Sequence, residues 1–125
     1  MTMYDLTIRK TFSAAHTLTI GGKCETLHGH NFAVEVTVSS DILDSEGIVI
    51  DFRLLKGWTN EIIEEMDHTY LNDLPLFQGL HPTSENIARV IYDRIASMID
   101  NPEVHLSRVT VWESDSARVS YGGNR

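Results

Sequence analysis

Two stretches of this chain alternate apolar and polar residues with a period of two, and one of them carries histidines in phase with its apolar row. In residues 31–39, Phe32, Val34, Val36 and Val38 fall on one face if the segment is extended. His28 and His30 share that parity and continue the row to its rim, and Gly29 between them leaves room for close backbone approach. Upstream, residues 4–12 alternate as well, with Tyr4, Leu6, Ile8 and Phe12 on one face, and the strand delivers His16 to its far end. A slip of one residue would turn either row to the wrong side, so the register of two such strands is tightly constrained. If residues 4–16 pair antiparallel with 29–39, residues 17–27 are the loop that returns the chain, and His16 arrives beside His28 and His30.

Three neutral imidazoles with an open fourth position form the ligand set of catalytic zinc. A closed structural site needs a fourth protein ligand, and Cys24, four residues before His28, could supply it. The His28-Gly29-His30 pair by itself also reads as two histidines opening an ordinary strand. The sequence leaves these alternatives open. Cys24 is the single cysteine, so no intramolecular disulfide exists and a reducing compartment fits. It sits among Lys23, Glu25 and Thr26 in a polar loop, where a neighbouring cation would lower the thiol pKa. Asp67-His68 reads either as a carboxylate orienting a proton-carrying imidazole or as a helix-terminal histidine stabilised by the dipole. Glu113 shares parity with Val109 and Val111, so its carboxylate is either at an exposed tip or matched to adjacent N–H donors such as the edge of a pterin or guanine.

Between the paired segments the period changes. Ile48-Val49-Ile50 reads as a short strand, and Asp51 caps a helix of about fifteen residues whose stripe is Leu55, Trp58, Ile62 and Met66, with Gly57 a local weakness. After a polar loop closed by Pro75, a second helix starts at Thr83 as N-cap, with Glu85 in its first turn and Ile87, Ile91 and Ile95 on its buried side; Asn101-Pro102 stops it. Val104–Glu113 and Ala117–Tyr121 return to strand, and 122–125 read as a frayed tail. The order ββααββ implies an α+β fold: one domain over 1–125, with a four-stranded antiparallel sheet and two helices on one face. The bare face and two sheet edges imply a homo-oligomer.

A net charge of −8 with scattered basic residues argues against nucleic acid and anionic membrane as partners. No apolar run of membrane-spanning length and no signal-peptide pattern appears, so a soluble cytoplasmic protein is expected.

Taken together, these residues resemble the 6-pyruvoyltetrahydropterin synthase and 6-carboxytetrahydropterin synthase family. The likeness covers nearly the whole chain: FSAAH at 12–16, CETLHGHNF at 24–32, GIVIDF at 47–52, MDHTYLND at 66–73, PTSEN at 82–86 and the strand ending in Trp112-Glu113-Ser114. It implies that His16, His28 and His30 hold Zn2+, that Cys24 is the base, and that Asp67 and His68 form a proton relay from a neighbouring subunit. Glu113 and Thr83 would bind the substrate, Glu113 by anchoring the pterin ring.

The family's tunnelling fold closes trimers into a barrel and stacks them into a hexamer. The implied substrate is 7,8-dihydroneopterin triphosphate, converted to 6-carboxy-5,6,7,8-tetrahydropterin for queuosine (7-deazaguanine) synthesis or to 6-pyruvoyltetrahydropterin, the tetrahydrobiopterin precursor. Glu25 beside Cys24 departs from the general pattern and resembles a branch that cleaves the side chain to 6-hydroxymethyl-7,8-dihydropterin for folate, giving a possible dual-function subgroup; its other reading is a solvated loop charge. Ser114 replaces the threonine usual after the ring-anchoring glutamate. For the triphosphate, Lys23, Arg9 and Arg118 are nominated. A zinc- or pterin-binding oligomer without catalysis is the rival from another class.

Overall fold

The computed structural model describes residues 2–123, with the backbone alone at Cys24. Asn124 and Arg125 of the expected tail therefore lie outside the described residues, while Gly122 ends a strand. The elements run β1 Tyr4–His16, β2 Thr19–Ile20, β3 Lys23–Cys24, β4 His28–Ser40, α1 Phe52–Met66, β5 Thr69–Tyr70, α2 Ser84–Met98, β6 His105–Ser114 and β7 Ala117–Gly122. Two short 3-10 turns, Leu71–Asp73 and Pro75–Phe77, link β5 to α2.

β1 and β4 pair antiparallel along their full length, from Tyr4 opposite Ser40 to His16 opposite His28. Their in-phase side chains make the floor of the core: Ile8, Phe12, Phe32, Val34, Val36 and Val38 are buried, and Phe12 stacks on Phe32 with ring centroids 5.0 Å apart. Val109 and Val111 of β6 extend the floor, since β6 pairs antiparallel with β4 and β7 with β6. Leu55, Ile62 and Met66 of α1 and Ile87, Ile91 and Ile95 of α2 cover it from the same side. Asp51 accepts a hydrogen bond from Arg53 N–H and Thr83 from Asn86 N–H, so both helices start at the caps the sequence implies.

The sheet has five strands rather than four and is mixed, in the order β5-β1-β4-β6-β7. β5 runs parallel to β1 and pairs only with Ala14 and Ala15. Two residues are too short to show any period. What places them is His68, whose backbone lies in the left-handed region at φ 58 and whose N–H donates to Ser13 O at 2.6 Å. Residues 17–27 are more ordered than a plain loop: β2 and β3 form a hairpin around Gly21 and Gly22, both with positive φ, as a two-residue turn of this kind requires.

The strand expected at Ile48-Val49-Ile50 is absent. The Asp44 carboxylate accepts from Glu46 N–H and Ile48 N–H, and Gly47 at φ 82 closes the loop, so local side-chain bonds compete successfully with any ladder. Val49 and Ile50 still pack on the core from this bend. Tyr4, expected on the buried row, is 51% exposed because it lies at the end of the sheet, and Trp58 is only half-buried, with Thr59 taking the fully buried place beside it. No helix among the described residues is long and apolar enough to cross a membrane.

Candidate metal centre

The antiparallel register sets the site. Because His16 is the cross-strand partner of His28 and Ala14 that of His30, the three in-phase imidazoles meet at one end of the β1–β4 ladder. Their ring centroids are 4.6, 4.7 and 5.2 Å apart, and the rings stand close to mutually perpendicular. Phe32 lies beneath them, with its ring 5.6 Å from that of His16 and 5.4 Å from that of His30.

Two backbone carbonyls orient the rings. His16 Nδ1 lies 2.8 Å from Pro82 O, and His28 Nδ1 lies 2.9 Å from Thr26 O. A carbonyl can only accept, so each Nδ1 carries the proton and each Nε2 keeps its lone pair for a ligand. His16 is fully buried, and both its Nε2 and that of His30 have no hydrogen-bond partner. Polar atoms left without a hydrogen bond in a buried place are costly unless something outside the chain satisfies them. Glu113 completes the group: its carboxylate and the three imidazoles offer one donor atom each, all within 4.8 Å of one another. This donor set, three imidazole nitrogens and one carboxylate oxygen, fits a zinc-like divalent ion.

Charge at the site depends on burial. The His30 pKa is lowered, first by removal from water; the Glu113 carboxylate opposes this, and His16 and His28 add to the lowering. A histidine that resists protonation when folded binds fewer protons than its unfolded counterpart, so stability falls as pH drops below the unfolded value of 6.5. The metal-free protein is thus expected to hold its thermal midpoint above that pH and lose it progressively below, with a shallower loss in His30→Gln. Equal slopes in the two proteins would assign the acid sensitivity elsewhere.

The structure brings together His16, His28, His30 and Glu113. Asp67 Oδ1 accepts from Ser13 N–H at 2.9 Å, while Oδ2 lies 3.6 Å from His68 Nε2. The His68 side chain is 82% exposed. It shares with Ser13, Gly29, His30, Asn31 and Thr69 the lining of an open cleft of about 510 Å3. Gly29 is not needed for close packing, since a Cβ there would meet only Ala14 O at 3.6 Å. A side chain would instead project into this cleft.

The thiol of Cys24 lies outside the described residues; its backbone pairs with Thr19. Glu25 is exposed, and its N–H donates to Leu18 O. The Thr83 hydroxyl is engaged in capping α2. Of the nominated cations, Arg9 is paired with Glu35 and Arg118 lies over the Trp112 ring, while Lys23 is exposed in the β2–β3 hairpin. Sequence reasoning missed Ser84. As the first residue of α2, next to the cap, it donates from Oγ to Glu113 Oε2 at 2.9 Å, a contact between segments 29 residues apart that no local pattern reveals.

Comparison with known proteins agrees with this architecture. The family model described as 6-pyruvoyl tetrahydropterin synthase matches residues 5–124. A protein of Archaeoglobus fulgidus named putative 6-carboxy-5,6,7,8-tetrahydropterin synthase is 40% identical over 108 residues, covering 86% of each chain. The dihydroneopterin monophosphate aldolase of Pyrococcus furiosus is 38% identical over 107 residues, covering 86% of this chain and 87% of that one. The structure of Caenorhabditis elegans 6-pyruvoyl tetrahydropterin synthase superposes with a TM-score of 0.85 at 27% identity, covering 99% of this chain and 98% of that one.

Proposed function

The chain belongs to the 6-pyruvoyl tetrahydropterin synthase family, and from that premise we propose that it is a zinc-dependent lyase acting on 7,8-dihydroneopterin triphosphate. Its product on this reading is 6-carboxy-5,6,7,8-tetrahydropterin, for queuosine synthesis, or 6-pyruvoyltetrahydropterin. The observation that carries the proposal is the pair of buried Nε2 atoms on His16 and His30 that lack a hydrogen-bond partner, in a group with His28 whose ligand atoms lie within 4.8 Å of one another.

His16, His28 and His30 would hold the ion. When bound, it polarises substrate oxygens and acidifies the neighbouring C–H. The chain's own residues do the rest. The Pro82 and Thr26 carbonyls keep two imidazoles in the tautomer that can bind a cation. Cys24 acts as base. Asp67, anchored by Ser13 N–H, steadies the His68 imidazole, which takes up and returns protons. The exposure of His68 suits a relay that serves the site of an adjoining subunit. Glu113 accepts from the adjacent N–H groups of the pterin ring.

Assembly supports the same reading. β5 covers only the last residues of β1, so most of β1 forms one open edge of the sheet and β7 the other. Edge-to-edge joining of three chains closes both, and a hexamer of two trimers is the proposed assembly. Residues of the PTSEN segment, Thr83 included, then bind the substrate across such a boundary.

A second reading, side-chain cleavage to 6-hydroxymethyl-7,8-dihydropterin, is favoured by Glu25 next to Cys24 and by the likeness to a protein named an aldolase. One experiment separates the readings. The zinc-loaded protein is incubated with 7,8-dihydroneopterin triphosphate, and triphosphate release and product mass are followed for wild type, Cys24→Ala and Glu25→Ala. Release of triphosphate that Cys24→Ala lowers by about 10²-fold or more supports the lyase. A hydroxymethyl product that Glu25→Ala abolishes supports cleavage. No turnover by the fully loaded wild type would overturn both and leave a binding protein.

A further inference from the structure

Glu113 reaches the site in a way that ring anchoring does not explain. Its Oε1 lies 3.2 Å from His30 Nε2, yet that nitrogen counts among the buried atoms without a hydrogen-bond partner. A charge-assisted N–H···O bond would be shorter, about 2.7–2.9 Å, and aligned. Two donors bound to one tetrahedral zinc at about 2.0–2.1 Å sit roughly 3.3 Å apart. The spacing matches that of two co-ligands, and the contact does not make a hydrogen bond. The other oxygen is occupied: Oε2 accepts from Ser84 Oγ at 2.9 Å, and Ser84 is buried at the start of α2. One carboxylate oxygen is thus fastened to the helix, and the other faces the three imidazoles.

We propose that Glu113 is the fourth, displaceable donor of the resting metal site, held in place by Ser84, and that substrate enters by taking its position. This rests on the metal-binding part of the function proposed above and adds a role for the same carboxylate before substrate arrives. The full donor set spans up to 4.8 Å, wider than a closed tetrahedron, so loading draws the four groups inward. A carboxylate in the open position satisfies the ion and keeps stray ligands off it. When substrate oxygens displace Oε1, the freed carboxylate is available to the N–H edge of the ring. Arrival of the side chain and anchoring of the ring then become one exchange. Ser84 acts as a positioning residue, fixing the pivot about which Glu113 turns.

The test reads metal binding directly. Full-length apoprotein is titrated with Zn2+ against a chromophoric chelator, and with Co2+ while its visible bands are recorded, for wild type, Glu113→Gln and Ser84→Ala. Circular dichroism of the metal-free proteins confirms that each variant is folded. Expected for Glu113→Gln is a loss of zinc affinity of about 10- to 100-fold with displaced cobalt bands, and for Ser84→Ala a smaller loss in the same direction. If Glu113→Gln binds Zn2+ as wild type does and its cobalt bands are unchanged, the inference is overturned while the zinc lyase stands. If wild type itself binds neither ion, both fall. Should Glu113→Gln not fold, Ser84→Ala decides: unchanged affinity and bands overturn the proposal, and a loss supports it.

Discussion

Substitution of His16 by alanine is expected to remove bound zinc and turnover together. Apparent binding free energies of about 10–16 kcal/mol are typical of four-ligand zinc sites, so one ligand accounts for roughly 2.5–4 kcal/mol, or a loss of affinity of about 10²–10³-fold. His16 is fully buried, and its Nδ1–H satisfies Pro82 O, so the substitution also leaves a cavity and a bare carbonyl. Metal-free stability should therefore fall as well. His28 is only part-buried and its carbonyl partner lies two residues away, so His28→Ala should lose the ion to a similar degree at much smaller structural cost. Chelator competition and urea denaturation on the two variants separate the contributions. Retention of stoichiometric zinc by either variant at wild-type affinity would show that the three imidazoles are not the ligand set.

Phe32→Ala should produce the largest loss of fold stability, about 3–5 kcal/mol. The ring is fully buried, stacks on Phe12 and forms the floor under His16 and His30. Removing it opens a void next to the His16 and His30 rings, which pack against it. Zinc affinity should drop by roughly tenfold in addition, because support behind a ligand fixes its direction. Phe32→Leu keeps more of the volume and should cost about 1–2 kcal/mol. Urea midpoints with unchanged m-values, together with chelator titration, check both effects. A stability loss with zinc affinity intact would mean that the backbone register alone holds the imidazoles.

The long strands and the convergence of the three imidazoles were legible because one rule governs both. A period of two places Phe32, Val34, Val36 and Val38 on one face, and His28 and His30 cannot leave that face without the whole strand slipping. The helix starts were legible from Asp51 and Thr83, whose short side chains accept backbone N–H bonds. What escaped has no local period. β5 is placed by contacts distant in sequence, its pairing with Ala14 and Ala15 and the bond from His68 N–H to Ser13 O across 55 positions. The Ile48–Ile50 segment has strand composition, but Asp44 binds its backbone first. Ser84 drew no notice because a serine beside a helix cap is common, and its meaning depends on Glu113 arriving from another strand. Family resemblance supplied roles for Cys24 and the Asp67-His68 pair that periodicity does not contain.

The pairing of His16 with His28 carries a consequence for how the chain reaches its native form. The two longest strands are joined through an eleven-residue excursion, residues 17–27, and their mostly aliphatic faces could zip together in neighbouring alignments. Only one alignment brings the three imidazoles to the same corner, and a shift by a single position points His16 away. An ion captured there rewards the correct alignment and no other. On the proposed zinc site, a bound cation would favour that alignment over its neighbours as well as serve the chemistry, so removal of zinc would lower the yield of correctly paired chains along with activity.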